Sequence, residues 1–148
     1  MRNYWLLSAG KDGELWPTFW NEKVVAIGWS ALGDLRRFES RDKLAKAYRI
    51  SYPTDRPGQA RNGVLQAWSF CNTVQDGELV FVRSHGALIG IGEVQGTYDF
   101  LSTSHPLRKK LNSEFFDDDF PHIRRVHWVS LWGGLKRPLA FTKLTVMP

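Results

Sequence analysis

The chain has 148 residues, 43% hydrophobic and 24% charged, a balance ordinary for one globular domain that buries a real core. The net charge is +5 and the pI about 9.6, so an anionic partner is expected, nucleic acid before a membrane surface. No apolar run approaches the roughly 18 residues of a membrane span. "MRNYWLLSAG" meets "KDGE" too soon for a signal peptide, and cytoplasm is the expected compartment. The single cysteine, Cys71, excludes an internal disulfide. No Cys/His cluster has zinc spacing, so no metal or cofactor is expected. Seven tryptophans stand out. Indole is bulky and carries an N–H that needs a partner, so some of the seven should face a ligand.

In chain order, "YWLLS" (4–8) reads as a buried strand and residues 9–13 as a turn. Residues 14–22, "ELWPTFWNE", read as a short helix with Pro17 in its first turn. Leu15 and Phe19, with Trp16 and Trp20, then share one side of it. "KVVAIGW" (23–29) is β-branched and apolar, a central strand ending at Gly28 and Trp29. A helix with Ser40 as N-cap follows, its inner face Leu44, Ala45 and Tyr48 and its outer face basic. Residues 51–59 are a loop with two prolines. Residues 60–74 are an amphipathic helix with Val64, Leu65, Trp68 and Cys71 inward. Residues 78–98 form a hairpin turning at His85-Gly86. Residues 102–121 read as a long irregular loop, with a basic run followed by "FFDDDF". "IRRVHWVSLW" is a strand in which Val126, Trp128 and Ser130 alternate with His127, Val129 and Leu131. "KRPLAFTKLTVMP" is expected to add a last short strand or helix. Trp5, Trp68 and Trp128 sit in apolar periodic runs and are assigned to the core; Trp132 is left open. This order, with helices between the early strands and strands later, gives an α+β fold: one domain over 1–148, a curved mixed sheet forming a partly closed barrel with flanking helices.

Enzyme signatures are missing. Gly90-Ile91-Gly92 lies inside a strand pattern and lacks the third glycine of a dinucleotide fingerprint. There is no Walker A lysine and no G-x-S-x-G elbow. The histidines are scattered, and Asp117, Asp118 and Asp119 read as a solvated turn.

"YWLLSAG", "LWPTFWNEKVVAIGWSALGDLRRF", "RNGVLQAWSF" and "GELVFVRSHGALIGIGEV", with "VHWVSL" near the end, closely resemble the EVE-like modules of the PUA superfamily. These occur as N-terminal DNA-binding domains of some McrB-type modification-dependent restriction proteins, and are related to the YTH domains that read methylated adenine in RNA. The resemblance implies a PUA-like fold. It also implies a mechanism: a modified base (methylated or hydroxymethylated cytosine, or methylated adenine) is flipped into an aromatic pocket. In the family the pocket lies near the ends of the first strands. That places Trp29 and Trp20 as walls, Trp16 beside them, and Tyr98 and Phe100 opposite. Ser8, Ala9 and Gly10 would offer backbone groups to the base edge. Asn62, in "ARNG", matches an Arg-Asn pair of related modules and would pair with the base.

The cations expected at phosphates are Arg36, Arg37, Arg41, Lys43, Lys46 and Arg61, then Arg108, Lys109 and Lys110, and Arg124. The expected partner is double-stranded DNA carrying the modified base, with single-stranded DNA or RNA as alternatives. The 102–121 loop would fill the gap left in the duplex. The domain itself is expected to be non-enzymatic, the specificity part of a longer protein whose nuclease or AAA+ motor is fused to it or supplied by a partner. Two other classes remain open: a small nuclease using Glu93, His85 or the Asp117–Asp119 run, and a protein-interaction module with exposed aromatics.

Overall fold

A computed structural model describes residues 3–131. Trp132 and the element expected in "KRPLAFTKLTVMP" lie outside the described residues. Five strands form one curled sheet in the order β1-β3-β4-β7-β2. β1 (Tyr4–Ser8) runs parallel to β3 (Leu79–Ser84). β3 pairs antiparallel with β4 (Ala87–Phe100), β4 with β7 (His122–Leu131), and β7 with β2 (Val24–Ile27). The turn between β3 and β4 falls at His85-Gly86, as expected. Both residues have positive φ, 51° and 75°, the geometry that matches the right-handed twist of a hairpin.

The curl brings the two edge strands toward each other. Leu7 of β1 and Val25 of β2 border the same small apolar space, along with Trp5, Phe70, Val74 and Val80. Strand β2 is therefore an edge strand, not the central one expected. Its four residues are all buried, and a continuous apolar run reports cover on both faces, not the number of hydrogen-bonded neighbours.

Helix α1 (Trp16–Glu22) carries Pro17 in its first turn and buries Phe19 completely. Helix α2 (Arg41–Ser51) starts where Ser40 Oγ accepts from the Lys43 amide at 3.2 Å, and buries Leu44 and Tyr48 one turn apart. Two short 3₁₀ turns, Ser30–Leu32 and Leu35–Arg37, precede it. Helix α3 (Pro57–Trp68) begins three residues earlier than the pattern suggested, with proline in its first turn, and widens into a π turn over Ser69–Thr73. It packs tightly on α2. A Cβ on Gly63 would overlap the Tyr48 hydroxyl and ring.

The segment expected to be an irregular loop is built. It holds α4 (Pro106–Lys110) and a small hairpin of β5 (Asn112–Ser113) and β6 (Asp118–Asp119). Leu111 is fully buried and its carbonyl accepts from the Phe120 amide at 2.7 Å. Of its acids, Asp117 lies exposed in a turn, as expected, but Asp118 and Asp119 do not. Asp119 binds Arg108 at 2.5 Å, and Asp118 accepts from the Ser30 hydroxyl. Among the described residues no helix is long and apolar enough to cross a membrane.

Candidate functional site

A cleft of about 550 Å³ opens where β1 and β2 end, in the gap that the curled sheet leaves between its edges. Ser8 and Gly10 border one side and Gly28 and Trp29 the other. Tyr52 and Asp55, from the loop after α2, close one end, with Gln66 of α3. The β5–β6 hairpin supplies Phe116, Asp118 and Phe120, and β3 supplies Arg83.

Trp29 has φ 58° and ψ 45°. A bulky side chain in the left-handed region is strained and needs surrounding structure to hold it there. It is held twice. Its carbonyl oxygen lies 3.1 Å from His122 Nε2. Its indole Nε1 donates to the Tyr48 hydroxyl at 3.2 Å, which donates in turn to Asp55 Oδ2 at 2.7 Å. A carbonyl only accepts, so His122 carries its proton on Nε2. Nδ1 then accepts from the Tyr98 hydroxyl at 2.7 Å, and that hydroxyl oxygen accepts from the Leu35 amide at 3.1 Å. Burial pushes the His122 imidazole down to about 4, against the opposing pull of the Trp29 carbonyl, so it is neutral near pH 7. Burial raises the hydroxyls of Tyr48 and Tyr98 well above their usual range, and that of Tyr52 to about 12. All three stay protonated; Tyr48 and Tyr98 donate, while the Tyr52 hydroxyl accepts from the Ala31 amide.

Of the residues expected at a base pocket, Ser8, Gly10 and Trp29 line the cleft. Ala9 does not. It is fully buried and its carbonyl is taken by the Leu15 amide at 2.9 Å. Trp16 and Trp20 are not its walls either. The one side of α1 that carries them turns onto β4 and β7, with Trp20 still 37% exposed. Trp16 lies edge-on to Trp128, with centroids 4.9 Å apart, and Trp20 stacks on Trp128 at 6.1 Å. Gly90 makes room: a Cβ there would collide with the Trp16 ring. Trp128 anchors the cluster through its N–H to the Phe19 carbonyl at 3.1 Å. Tyr98 is 3% exposed and belongs to the core as part of the His122 chain. Phe100 packs against the His122 ring at 5.5 Å, away from the cleft. Asn62 is exposed on α3, and the amide that reaches the cleft is Gln66, one turn later.

The expected cations divide in the same way. Arg41 and Arg61, with Arg49, border a groove of about 630 Å³ between α2 and α3. Tyr52 and Asp55 border both this groove and the cleft, so the two are neighbours. Lys46 and Lys109 are exposed. Lys43 pairs with Glu39 at 2.6 Å, Lys110 with Glu22 and Arg36 with Asp34, each at 2.8 Å. These exposed pairs open cheaply. Arg37 donates to the Leu32 carbonyl at 2.8 Å. Arg108 and Arg124 are not phosphate ligands. Arg108 is 8% exposed and donates to the Leu101 carbonyl as well as to Asp119. Arg124 is 2% exposed and donates to the carbonyls of Phe70, Val74 and Gly96. Both guanidinium groups are enclosed by the fold, and the Arg124 Nε is itself buried without a partner, so what keeps them from a phosphate is burial.

Tyr52, Asp55, Gln66, Arg83, Phe116 and Phe120 were not foreseen. For Phe116 and Phe120 the signal was present: aromatics interleaved with acids in "FFDDDF" suit a packed hairpin better than a free turn. Tyr52, Asp55 and Gln66 meet the cleft only through the docking of α2 and α3. Among the described residues no group of three or more His, Cys, Asp or Glu is placed to hold a metal ion. Cys71 is partly buried and its thiol is pushed up to about 11 by that burial, which disfavours the reactive thiolate.

The fold and cleft thus define an α+β domain with an aromatic recess at the seam of a curled sheet. Residues 5–142 match the family described as a domain of unknown function, DUF8426, and the chain belongs to that family. Comparison with curated proteins finds no match.

Proposed function

We propose that this protein is a PUA-like, EVE-like reader of a modified base, acting on DNA by flipping the base into the cleft between its sheet edges. The observation that carries the reading is Trp29. An indole held in a strained backbone conformation by bonds at both its carbonyl and its ring N–H is pre-organised, and it stands at an open cleft. Flipping costs a few kcal/mol. One stacked ring returns roughly 1–3 kcal/mol, so a second ring is needed, and Phe116 or Tyr52 is available. The arginines of the adjoining α2–α3 groove suit the phosphates that flank a flipped base. In this reading the domain has no catalytic role. It supplies specificity in the cytoplasm to a nuclease or AAA+ motor, fused or separate.

The test is fluorescence anisotropy on short labelled duplexes at fixed salt. One is unmodified, and the others carry 5-methylcytosine, 5-hydroxymethylcytosine or N6-methyladenine. A preference of tenfold or more for one modification, about 1.4 kcal/mol, is expected. Equal, salt-sensitive binding to all four overturns the reading and leaves a general basic surface, with modified RNA as the next ligand to try.

A further inference from the structure

A pocket that reads a modified base has a discrimination problem that shape cannot solve. Thymine carries the same 5-methyl group as 5-methylcytosine. The two differ at the 4-position, an amino group in one and a carbonyl in the other, and at N3. Only hydrogen-bond chemistry at the base edge separates them.

The cleft has a group suited to that task. Asp55 borders it and is partly buried. Its Oδ2 accepts from the Tyr48 hydroxyl at 2.7 Å, and that same hydroxyl accepts from Trp29 Nε1 at 3.2 Å. The carboxylate is thus tied to the N–H edge of the Trp29 indole through a single shared oxygen. Trp29 and Asp55 border the same cleft, so a planar ring stacked on Trp29 has this carboxylate within the space that its edge can reach. Oδ1 has no hydrogen-bond partner among the described residues. An ionised carboxylate only accepts. It takes a hydrogen bond from an exocyclic amino group and repels a carbonyl. Thymine's one edge donor, N3–H, sits between two carbonyl oxygens, so a carboxylate that reaches it also meets O2 or O4.

We propose that Asp55 restricts the cleft to amino-bearing bases, accepting a hydrogen bond on Oδ1 from the exocyclic N–H of a modified cytosine or adenine. This rests on the base-reading function proposed above. The same logic covers N6-methyladenine, which keeps one N–H. Its 6-methoxypurine analogue replaces that N–H with an oxygen.

The experiment compares two matched pairs in single-stranded labelled oligonucleotides: 5-methylcytosine against thymine, and N6-methyladenine against 6-methoxypurine. For the pair whose modified base binds, wild-type protein should favour the amino member by tenfold or more, the scale of one charge-assisted hydrogen bond. In Asp55→Asn that ratio should fall below threefold, because the amide keeps an acceptor for Tyr48 and adds a donor that a carbonyl tolerates. Thermal melting confirms that the variant is folded. Should it not be, Asp55→Ser keeps an acceptor and carries the same test. If the wild type binds both members alike, or a folded Asp55 variant keeps the wild-type ratio, this proposal fails while base reading stands. If no modified base is favoured over its unmodified parent, both fail together.

Discussion

His122 Nε2 lies 3.1 Å from the carbonyl oxygen of Trp29, and this one bond joins the most buried titratable ring described in the protein to a tryptophan held in the left-handed region. His122 is on β7 and Trp29 follows β2, the strand that β7 pairs with. The sheet register that puts Ile27 opposite His122 therefore also places the donor that holds the cleft wall.

A pH dependence follows from the burial of that imidazole. Its folded value is about 4, against 6.5 in the unfolded chain. The unfolded state binds the extra proton first, so the stability is full above about 6.5 and is lost as pH falls toward 4. The shift corresponds to about 3 kcal/mol over the whole interval. Asp34, held low chiefly by the Arg36 hydrogen bond, and Asp119, whose burial is outweighed by Arg108, both titrate beneath this range. The Tm should decline between pH 6.5 and 4.5. In His122→Gln the slope between pH 6.5 and 5 should flatten, the Glu14 carboxyl, lowered despite its burial by the Ser113 hydrogen bond, acting only below that, though the protein is less stable throughout. An unchanged slope in the variant assigns the effect elsewhere.

Gly63→Ala tests the other anchor of Trp29. In an exposed helix this change raises stability by up to about 1 kcal/mol. Here the new Cβ overlaps the Tyr48 hydroxyl and ring, and the expected result is a loss of about 1–3 kcal/mol in urea unfolding. Trp29 fluorescence should shift as well, since its N–H partner is displaced. A stabilised Gly63→Ala would mean that α2 and α3 are free to separate.

The strands and helices that repeat a pattern were legible in the sequence. Ser40 announced α2, and His85-Gly86 announced the hairpin. Ser8, Gly10 and Trp29 were expected together because the family resemblance implies a pocket at the strand ends, and all three border the cleft. The rest turned on direction. Spacing puts Trp16 and Trp20 on one helix but does not say which neighbour the helix turns toward, and α1 turns them onto Trp128. For Arg124 a signal was available. It shares the strand parity of Val126 and Trp128, and so points inward with His122. Charge suggested a phosphate ligand, while parity gave the position. Asp55 and Gln66 carried no such signal, because they meet only when α2 and α3 have docked.

The tryptophans separate by experiment into wall and core. Trp16→Ala opens a cavity beside Gly90 and Trp128. It should cost about 3 kcal/mol of stability while leaving the preference for the modified base intact. Trp29→Ala should do the reverse, with a modest change in Tm and a tenfold or greater loss of preference, in keeping with stacking worth roughly 1–3 kcal/mol. Anisotropy and denaturant unfolding on the same two variants decide it. If Trp16→Ala, though folded, loses the preference and Trp29→Ala keeps it, the cleft is not the base site.

The arginines separate by salt. Each phosphate contact adds about 0.7–0.9 to the slope of log affinity against log salt. Arg41→Gln and Arg61→Gln, on the groove that neighbours the cleft, should each weaken binding and flatten that slope by about this amount, for modified and unmodified DNA alike. Arg124→Met should leave the slope unchanged. Its cost is in the core, where the carbonyls of Phe70, Val74 and Gly96 lose their shared donor, roughly 3 kcal/mol of stability. The contrast is sharp because all three are arginines of one basic chain. A flattened slope in Arg124→Met, measured on folded protein, would show that its guanidinium leaves those carbonyls to meet DNA. A normal slope in both Arg41→Gln and Arg61→Gln would move the phosphate path off the α2–α3 groove, toward exposed Arg83, which borders the cleft.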